Sequence, residues 1–263
     1  MSILFSGDFH ANQVHELSVI KKRNLIIKYG QEKFNDIRYH IILGDGGFMW
    51  TGNQKTDLYN YKALVCRPFP ILCVMGNHEP IYGMMDKIPE TDIGIGDTVY
   101  QIHDKPFVAY LKRGKIYTID GFKILALGGA LSVDRRSRTP DKTWWEAEYW
   151  LEEEKWDLFK LLETENDFDC VISHTGPHHI NQKLFKPYDY DPEKFQDAVA
   201  MLNDQIYDRI QFKKWFCGHW HTDRYHYNQE KEQEYFFLYW TTKILDKHDN
   251  NMVIYCENKE VRL

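Results

Sequence analysis

Ile71-Leu72-Cys73-Val74-Met75-Gly76-Asn77-His78-Glu79 runs an apolar stretch directly into four residues of which a turn explains only the glycine. Five consecutive apolar residues ending in a polar turn predict a buried strand that delivers its polar groups at its carboxyl edge. The same arrangement recurs on both sides. Ile3-Leu4-Phe5 leads to Gly7-Asp8-Phe9-His10, and Tyr39 to Leu43 leads to Gly44-Asp45. Further on, Cys170-Val171-Ile172 leads to His174, and Trp215-Phe216-Cys217 leads to Gly218-His219-Trp220-His221. In open sheets that carry helices, ligands bind at that edge. Helices are expected between the strands, over Gln13 to Tyr29, over Trp144 to Glu163, and from an Asp191 N-cap with Pro192 in the first turn. The last of these repeats Phe195, Ala198, Val199, Leu202, Ile206 and Ile210 at helical spacing. Lys115 to Ile119, Asp120-Gly121 and Phe122 to Leu127 read as a hairpin. Asp223 to Asn228, Glu234 to Trp240 and Asn251 to Cys256 read as closing strands. The order is mixed α/β. Without linker, charge run or repeat, residues 1–263 read as a single domain.

The strand-end residues share a chemistry. Asp8, His10, Asp45, Asn77, His174, His219 and His221 offer only oxygen and imidazole nitrogen, a mixed set that suits Mn, Fe or Zn better than Ca or Mg. Alternate residues of Asp-x-His and His-x-His share a face on extended backbone, and a bend sends the pair to two neighbouring ions instead. Asp45, with two oxygens, can bridge two cations. Each motif alone is weak, because Gly-Asp is a common turn and a lone histidine is usually structural. Their conjunction, each after an apolar run, is what points to a metal cage.

The set Asp8-x-His10, Gly44-Asp45, Gly76-Asn77-His78-Glu79, His174 and Gly218-His219-x-His221 resembles the calcineurin-like metallophosphoesterases over most of the chain. The resemblance implies a four-layer α-β-β-α sandwich with two packed mixed sheets. It implies that Asp8, His10 and His221 bind one divalent metal, that Asn77, His174 and His219 bind another, and that Asp45 bridges both. Mn2+ is the first expectation, with Fe, Zn or Ni as alternatives. His78 would face the substrate and protonate the leaving group, while water activated by the metals attacks phosphorus.

The chain departs from the serine/threonine phosphatase branch. Phe48 in Gly44-Asp45-Gly46-Gly47-Phe48-Met49 stands where that branch carries a second Asp, and Ser173-His174-Thr175-Gly176-Pro177 differs from its His-Gly-Gly. The expected activity is therefore phosphodiester hydrolysis on small or nucleotide substrates. Phosphomonoesterase action, including on proteins, is the alternative, and a non-catalytic scaffold on the same fold comes after it. Gly128-Gly129 and the arginines at 135, 136 and 138 resemble a segment of bacterial and phage members. Arg135 is the candidate phosphate clamp. Trp220 is expected in the core, although it could stack on a nucleobase.

A net charge of −6 and the lack of a basic stripe argue against stable nucleic-acid binding. Bound cations would reverse that field locally for a phosphorylated substrate. Five scattered cysteines without Cys-x-x-Cys suggest neither disulfides nor a zinc ribbon, and no apolar run approaches the ~20 residues of a membrane span. A cytoplasmic location is expected.

Overall fold

The computed structural model describes residues 2–10, 20–49, 69–79, 83, 87–105, 107–132, 134–185, 197–247, 254–256 and 259–261. Seven strands form the first sheet: β1 (Ser2–Ser6), β2 (Ile37–Ile42), β3 (Ile71–Cys73), β4 (Glu90–Thr91), β5 (Val99–His103), β6 (Val108–Leu111) and β13 (Thr242–Asp246), in the order β13-β1-β2-β3-β6-β5-β4. The second sheet contains β7 (Lys115–Ile119), β8 (Phe122–Ala126), β9 (Asp167–Ile172), β10 (Gln211–Cys217), β11 (Arg224–Asn228) and β12 (Gln233–Phe237), in the order β11-β12-β10-β9-β8-β7. At the centre of both sheets the strands are parallel: β1 with β2, β2 with β3, β8 with β9, β9 with β10. Parallel neighbours end at the same edge. That edge carries all five motifs.

Side-chain alternation along each strand builds the layers. In β1, Ile3 and Phe5 point between the sheets, where they meet Ile41, Leu72, Ile124, Ile172 and Phe216. Leu4 points the other way, into a cluster with Leu25 and Phe34. Those two residues come from helices α1 (Lys22–Tyr29) and α2 (Gln31–Asp36). On the far side, Val171, Trp215 and Tyr235 pack against Leu158, Ile180 and Val199. These belong to α3 (Glu152–Leu162), α4 (His178–Phe185) and α5 (Ala198–Tyr207). Helices, sheet, sheet and helices follow one another, as the resemblance implied.

The predicted hairpin forms. Asp120 and Gly121 take φ of 53° and 78°, the two left-handed residues that a tight I′ connection needs. Helices are described over shorter spans than their spacing suggested. The expected helix over Gln13 to Tyr29 is described from α1 onward, after extended Lys21 (ψ 129°); residues 11–19 lie outside the described residues. Trp144 to Glu163 is helical only from Glu152, because Trp145 is extended and Glu146–Glu148 form a single 3-10 turn. Helix α5 starts at Ala198, where the Asp197 carboxylate accepts the Val199 N–H as a cap; Asp191, Pro192 and Phe195 lie outside the described residues. The strand that closes the first sheet is β13, antiparallel to β1, and not the 251–256 segment. Ile254–Cys256 instead pairs with Lys259–Val261 as β14 and β15. Among the described residues, no helix is long and apolar enough to cross a membrane.

Phe216 stacks on Phe5 with centroids 4.3 Å apart and on Phe236 at 4.9 Å, with no solvent exposure. Phe216→Ala should cost about 3–5 kcal/mol by leaving a cavity between the sheets. Urea unfolding measures this, and a loss under about 1 kcal/mol would mean that the sheets do not pack there as described.

Candidate metal centre

The central strands of both sheets end in loops that meet face to face. Within the first sheet, the Phe9 and His10 N–H groups donate to the Asp45 carbonyl at 3.1 and 2.8 Å. Between the sheets, the Asp8 carboxylate accepts the His219 N–H at 2.9 and 3.0 Å, and the Leu43 carbonyl lies 2.7 Å from His174 Nδ1. Side chains from five loops thereby enter one small volume. The approach is so close that the motif glycines Gly7, Gly44, Gly76 and Gly218 have no room for a side chain. A Cβ on Gly76 would lie 2.0 Å from Asp45 Oδ1, and one on Gly218 would lie 2.1 Å from Asp8 Oδ1. His10, Asp45, His219 and His221 all adopt positive φ, between 49° and 69°. Non-glycine residues persist in that region only where their surroundings hold them.

The structure brings the predicted residues together. Asp8, His10 and His221 form one compact group: His221 Nε2 lies 3.3 Å from Asp8 Oδ2 and 2.8 Å from His10 Nε2. Asp8, Asp45 and His174 form another, with His174 Nε2 3.4 Å from Asp45 Oδ2. Asn77 Oδ1 sits 2.9 Å from His174 Nε2, and the His219 ring lies 5.0 Å from the His174 ring. Asp45 is shared between groups, for His10 Nε2 is also 3.6 Å and His78 Nε2 4.0 Å from its Oδ2.

The set fits divalent metal on physical grounds. Asp45 Oδ2 is buried and accepts no hydrogen bond although imidazole nitrogens surround it. A buried carboxylate oxygen in that condition is costly unless a cation meets it. Ligand atoms on a common ion with bonds of about 2.0–2.2 Å stand roughly 3 Å apart, close to the spacings found here. The contact of His174 Nδ1 with the Leu43 carbonyl leaves Nε2 as the nitrogen that faces the acids, as ligating histidines require.

Charge tells the same story. Burial opposes ionisation of Asp8 and Asp45, yet His174 and the other imidazoles hold both well below the usual carboxylate range. Burial also disfavours a charged His174, but Asp45 and Asp8 outweigh it and raise its pKa to about 10. His219 is pushed down to about 3 by burial and by the His174 charge. Without metal, His174 thus carries the positive charge that the acids demand.

Other residues support the cage. Glu79, the last residue of the third motif, is fully buried. Its carboxylate accepts the Gly46 and Gly76 N–H groups, each at 3.0 Å, and the Tyr110 hydroxyl at 2.6 Å, tying the Asp45 loop to the Asn77 loop. Phe48 is in the core on the outer side of the first sheet, so no carboxylate reaches His78 from there. Arg138 takes that place. It donates to His78 Nδ1, and Asp134 holds its Nε at 2.8 Å. Burial, with help from Arg138, lowers the His78 pKa to about 4. Arg135 reaches the Tyr149 hydroxyl at 3.2 Å instead. Sequence spacing marks all three arginines as one basic loop; only the 3-10 turn Arg135–Ser137 separates their directions. Trp220, expected in the core, is half-buried: it stacks on Phe185 at 4.2 Å and packs against the second sheet's outer cluster.

The model of the calcineurin-like phosphoesterase family matches residues 1–223. The chain belongs to this family and is a phosphoric ester hydrolase with a metal-dependent lineage. No curated protein sequence matches it significantly. One solved structure shares the fold at 10% identity with a TM-score of 0.50, covering 89% of each chain. Phosphopantetheinyl hydrolase from Mycobacterium tuberculosis is 10% identical with a TM-score of 0.46, over 95% of this chain and 98% of its own. A protein assigned as a 5′-nucleotidase from Staphylococcus aureus, solved with alpha-ketoglutarate, is 12% identical with a TM-score of 0.46, over 93% of this chain and 50% of its own.

The raised His174 pKa has a definite sign. Because the pKa is raised from the ordinary 6.5, the His174 charge stabilises the metal-free fold; that contribution is complete below 6.5 and is lost as pH rises through about 10. In chelator, an NMR titration should place the His174 midpoint near 10, and added metal should erase it. A midpoint below 7 would contradict the arrangement.

Proposed function

We propose that this chain hydrolyses phosphodiesters of small or nucleotide substrates with two divalent cations, Mn2+ first among them. The observation that carries the reading is Asp45 Oδ2, buried without a hydrogen bond and faced by three imidazole nitrogens. Asp8, His10 and His221 would hold one ion, Asn77, His174 and His219 the other, and Asp45 would stand between them. When bound, such ions supply an activated water near neutral pH and neutralise charge on the phosphoryl oxygens. His78 lies beside the cage with the Arg138 guanidinium against its ring nitrogens, where it would face the leaving oxygen. Arg138, and Arg135 further out, add fixed positive charge for the phosphate. Residues 1–263 would act as one domain. The free, buried thiols Cys73, Cys170 and Cys217 favour a cytoplasmic setting.

The diester preference rests on Phe48, which replaces the second acid of the protein phosphatases with a core side chain. Phosphomonoester hydrolysis is the second reading, and the guanidinium of Arg138 favours it, because a monoester brings an additional negative charge. A scaffold would have no use for all seven donors and His78 together.

The assay compares bis-p-nitrophenyl phosphate with p-nitrophenyl phosphate in Mn2+, before and after chelation. Faster turnover of the diester, abolished by chelator, is expected. A strong monoester preference selects the second reading, and turnover that survives complete metal removal refutes both. His78→Ala should keep its metals and lose about 10²–10⁴-fold in kcat. Loss of metal in that variant would move His78 into the cage.

A further inference from the structure

Asn77 is the one amide among the proposed ligands, and its side chain can be turned round without changing shape. Its oxygen can meet a cation and its NH2 cannot. Some contact has to decide between the two orientations, and it lies behind the amide. Asn77 Nδ2 donates to Ser132 Oγ at 2.9 Å, and Ser132 Oγ donates to Glu148 Oε2 at 2.6 Å. All three residues are buried, with no more than 1% exposure. A hydroxyl has a single hydrogen. With that hydrogen committed to the Glu148 carboxylate, Ser132 can only accept from Asn77. A reversed amide would set two acceptors against each other at Ser132 and would aim NH2 at His174 Nε2.

The segment that carries Glu148 is itself clamped. The Arg113 guanidinium donates to the Ala147 carbonyl at 2.8 Å and to the Tyr149 carbonyl at 3.2 Å, and pairs with Glu154. The Trp150 indole N–H donates to the Gly128 carbonyl at 2.8 Å, where the segment leaves β8. A Cβ on Gly129 would lie 2.2 Å from the Glu148 carbonyl, so the two ends of the segment touch. The Glu148 carboxylate accepts from the Ser132 hydroxyl and from the Trp145 N–H at 3.4 Å.

We propose that Ser132 and Glu148 are positioning residues that lock the Asn77 amide with its oxygen toward the second metal. The inference rests on the two-cation reading above and adds to it a determinant outside the cage. The relay reaches one metal only, since Asp8, His10 and His221 have no part in it.

The test is Mn2+ binding by the full chain, measured by equilibrium dialysis with elemental analysis and by the EPR signal of a coupled ion pair. Wild type should take up two ions. Glu148→Gln is nearly isosteric, but its NH2 can donate to Ser132 and turn the hydroxyl hydrogen onto Asn77. Glu148→Gln and Ser132→Ala should each weaken one of the two ions by about 10–100-fold and lose the coupled signal. Ser132→Thr, which keeps the hydroxyl, should behave as wild type. Equal melting temperatures in chelator would separate the effect from a loss of fold, and Glu148→Gln carries the test if Ser132→Ala does not fold. Both ions held at wild-type affinity by Glu148→Gln would overturn this inference alone, as would equal losses in Ser132→Thr and Ser132→Ala. A wild-type chain that holds fewer than two ions would overturn the two-cation reading and this inference with it.

Discussion

Asp8 and Asp45 are ionised carboxylates with 0% and 1% exposure, and removing such charges from water is costly unless donors and cations enclose them. Their surroundings follow from that requirement. Backbone donors come first: the His219 N–H to Asp8, and the His78 N–H to Asp45 Oδ1 at 2.9 Å. Imidazoles come next, and they are too few in hydrogen bonds to finish the task, for Asp45 Oδ2 is left without one. In the metal-free chain a proton on His174 makes up part of the deficit. A divalent ion would compete with that proton for the same acids, which couples metal uptake to pH.

Backbone approach at the site is a consequence of the same demand. Donors can close around a buried acid only if the loops come within a few ångströms of it, and Gly76 and Gly218 permit that contact. Four non-glycine residues of the cage hold left-handed backbone, which the parallel strands behind them enforce. The strands are short, β3 having only three residues, yet they are buried in the first sheet between partners on either side. The rigid part of the molecule and the strained part are therefore adjacent, and strain at the cage is supported by apolar burial between the sheets.

Strand ends, sheet class and the donor set were legible in the sequence because each depends on local pattern. An apolar run followed by glycine and a polar ligand residue reads the same way at Asp8, Asp45, Asn77 and His219. Helix starts were less legible: periodic apolar residues continue before Glu152 and Ala198, but extended Trp145 and the Asp197 cap stop the helix, and neither leaves a period in the sequence. Strand β13 was missed although Ile244 and Leu245 face opposite clusters, because its pairing with β1 spans nearly the whole chain. The support behind the cage was hidden for a similar reason. Arg138 and Arg135 are equivalent by composition, and Ser132 and Glu148 meet Asn77 only after the segment following β8 folds back over the loop.

That segment touches the proposed site at two places with different chemistry. Ser132 and Glu148 stand behind an amide that faces the ions, while Arg138 stands against His78, which faces the substrate. Charge explains why both contacts can coexist in a chain of net charge −6. Arg138 pairs with Asp134 and Arg113 with Glu154. Within the cage only Asp8 and Asp45 are anionic, the remaining donors being imidazoles and an amide. Two dications there would exceed the two carboxylates and leave local positive charge facing outward. An acidic protein with a cage of this composition attracts a phosphate through its metals and not through its surface, so its overall charge says little about its substrate.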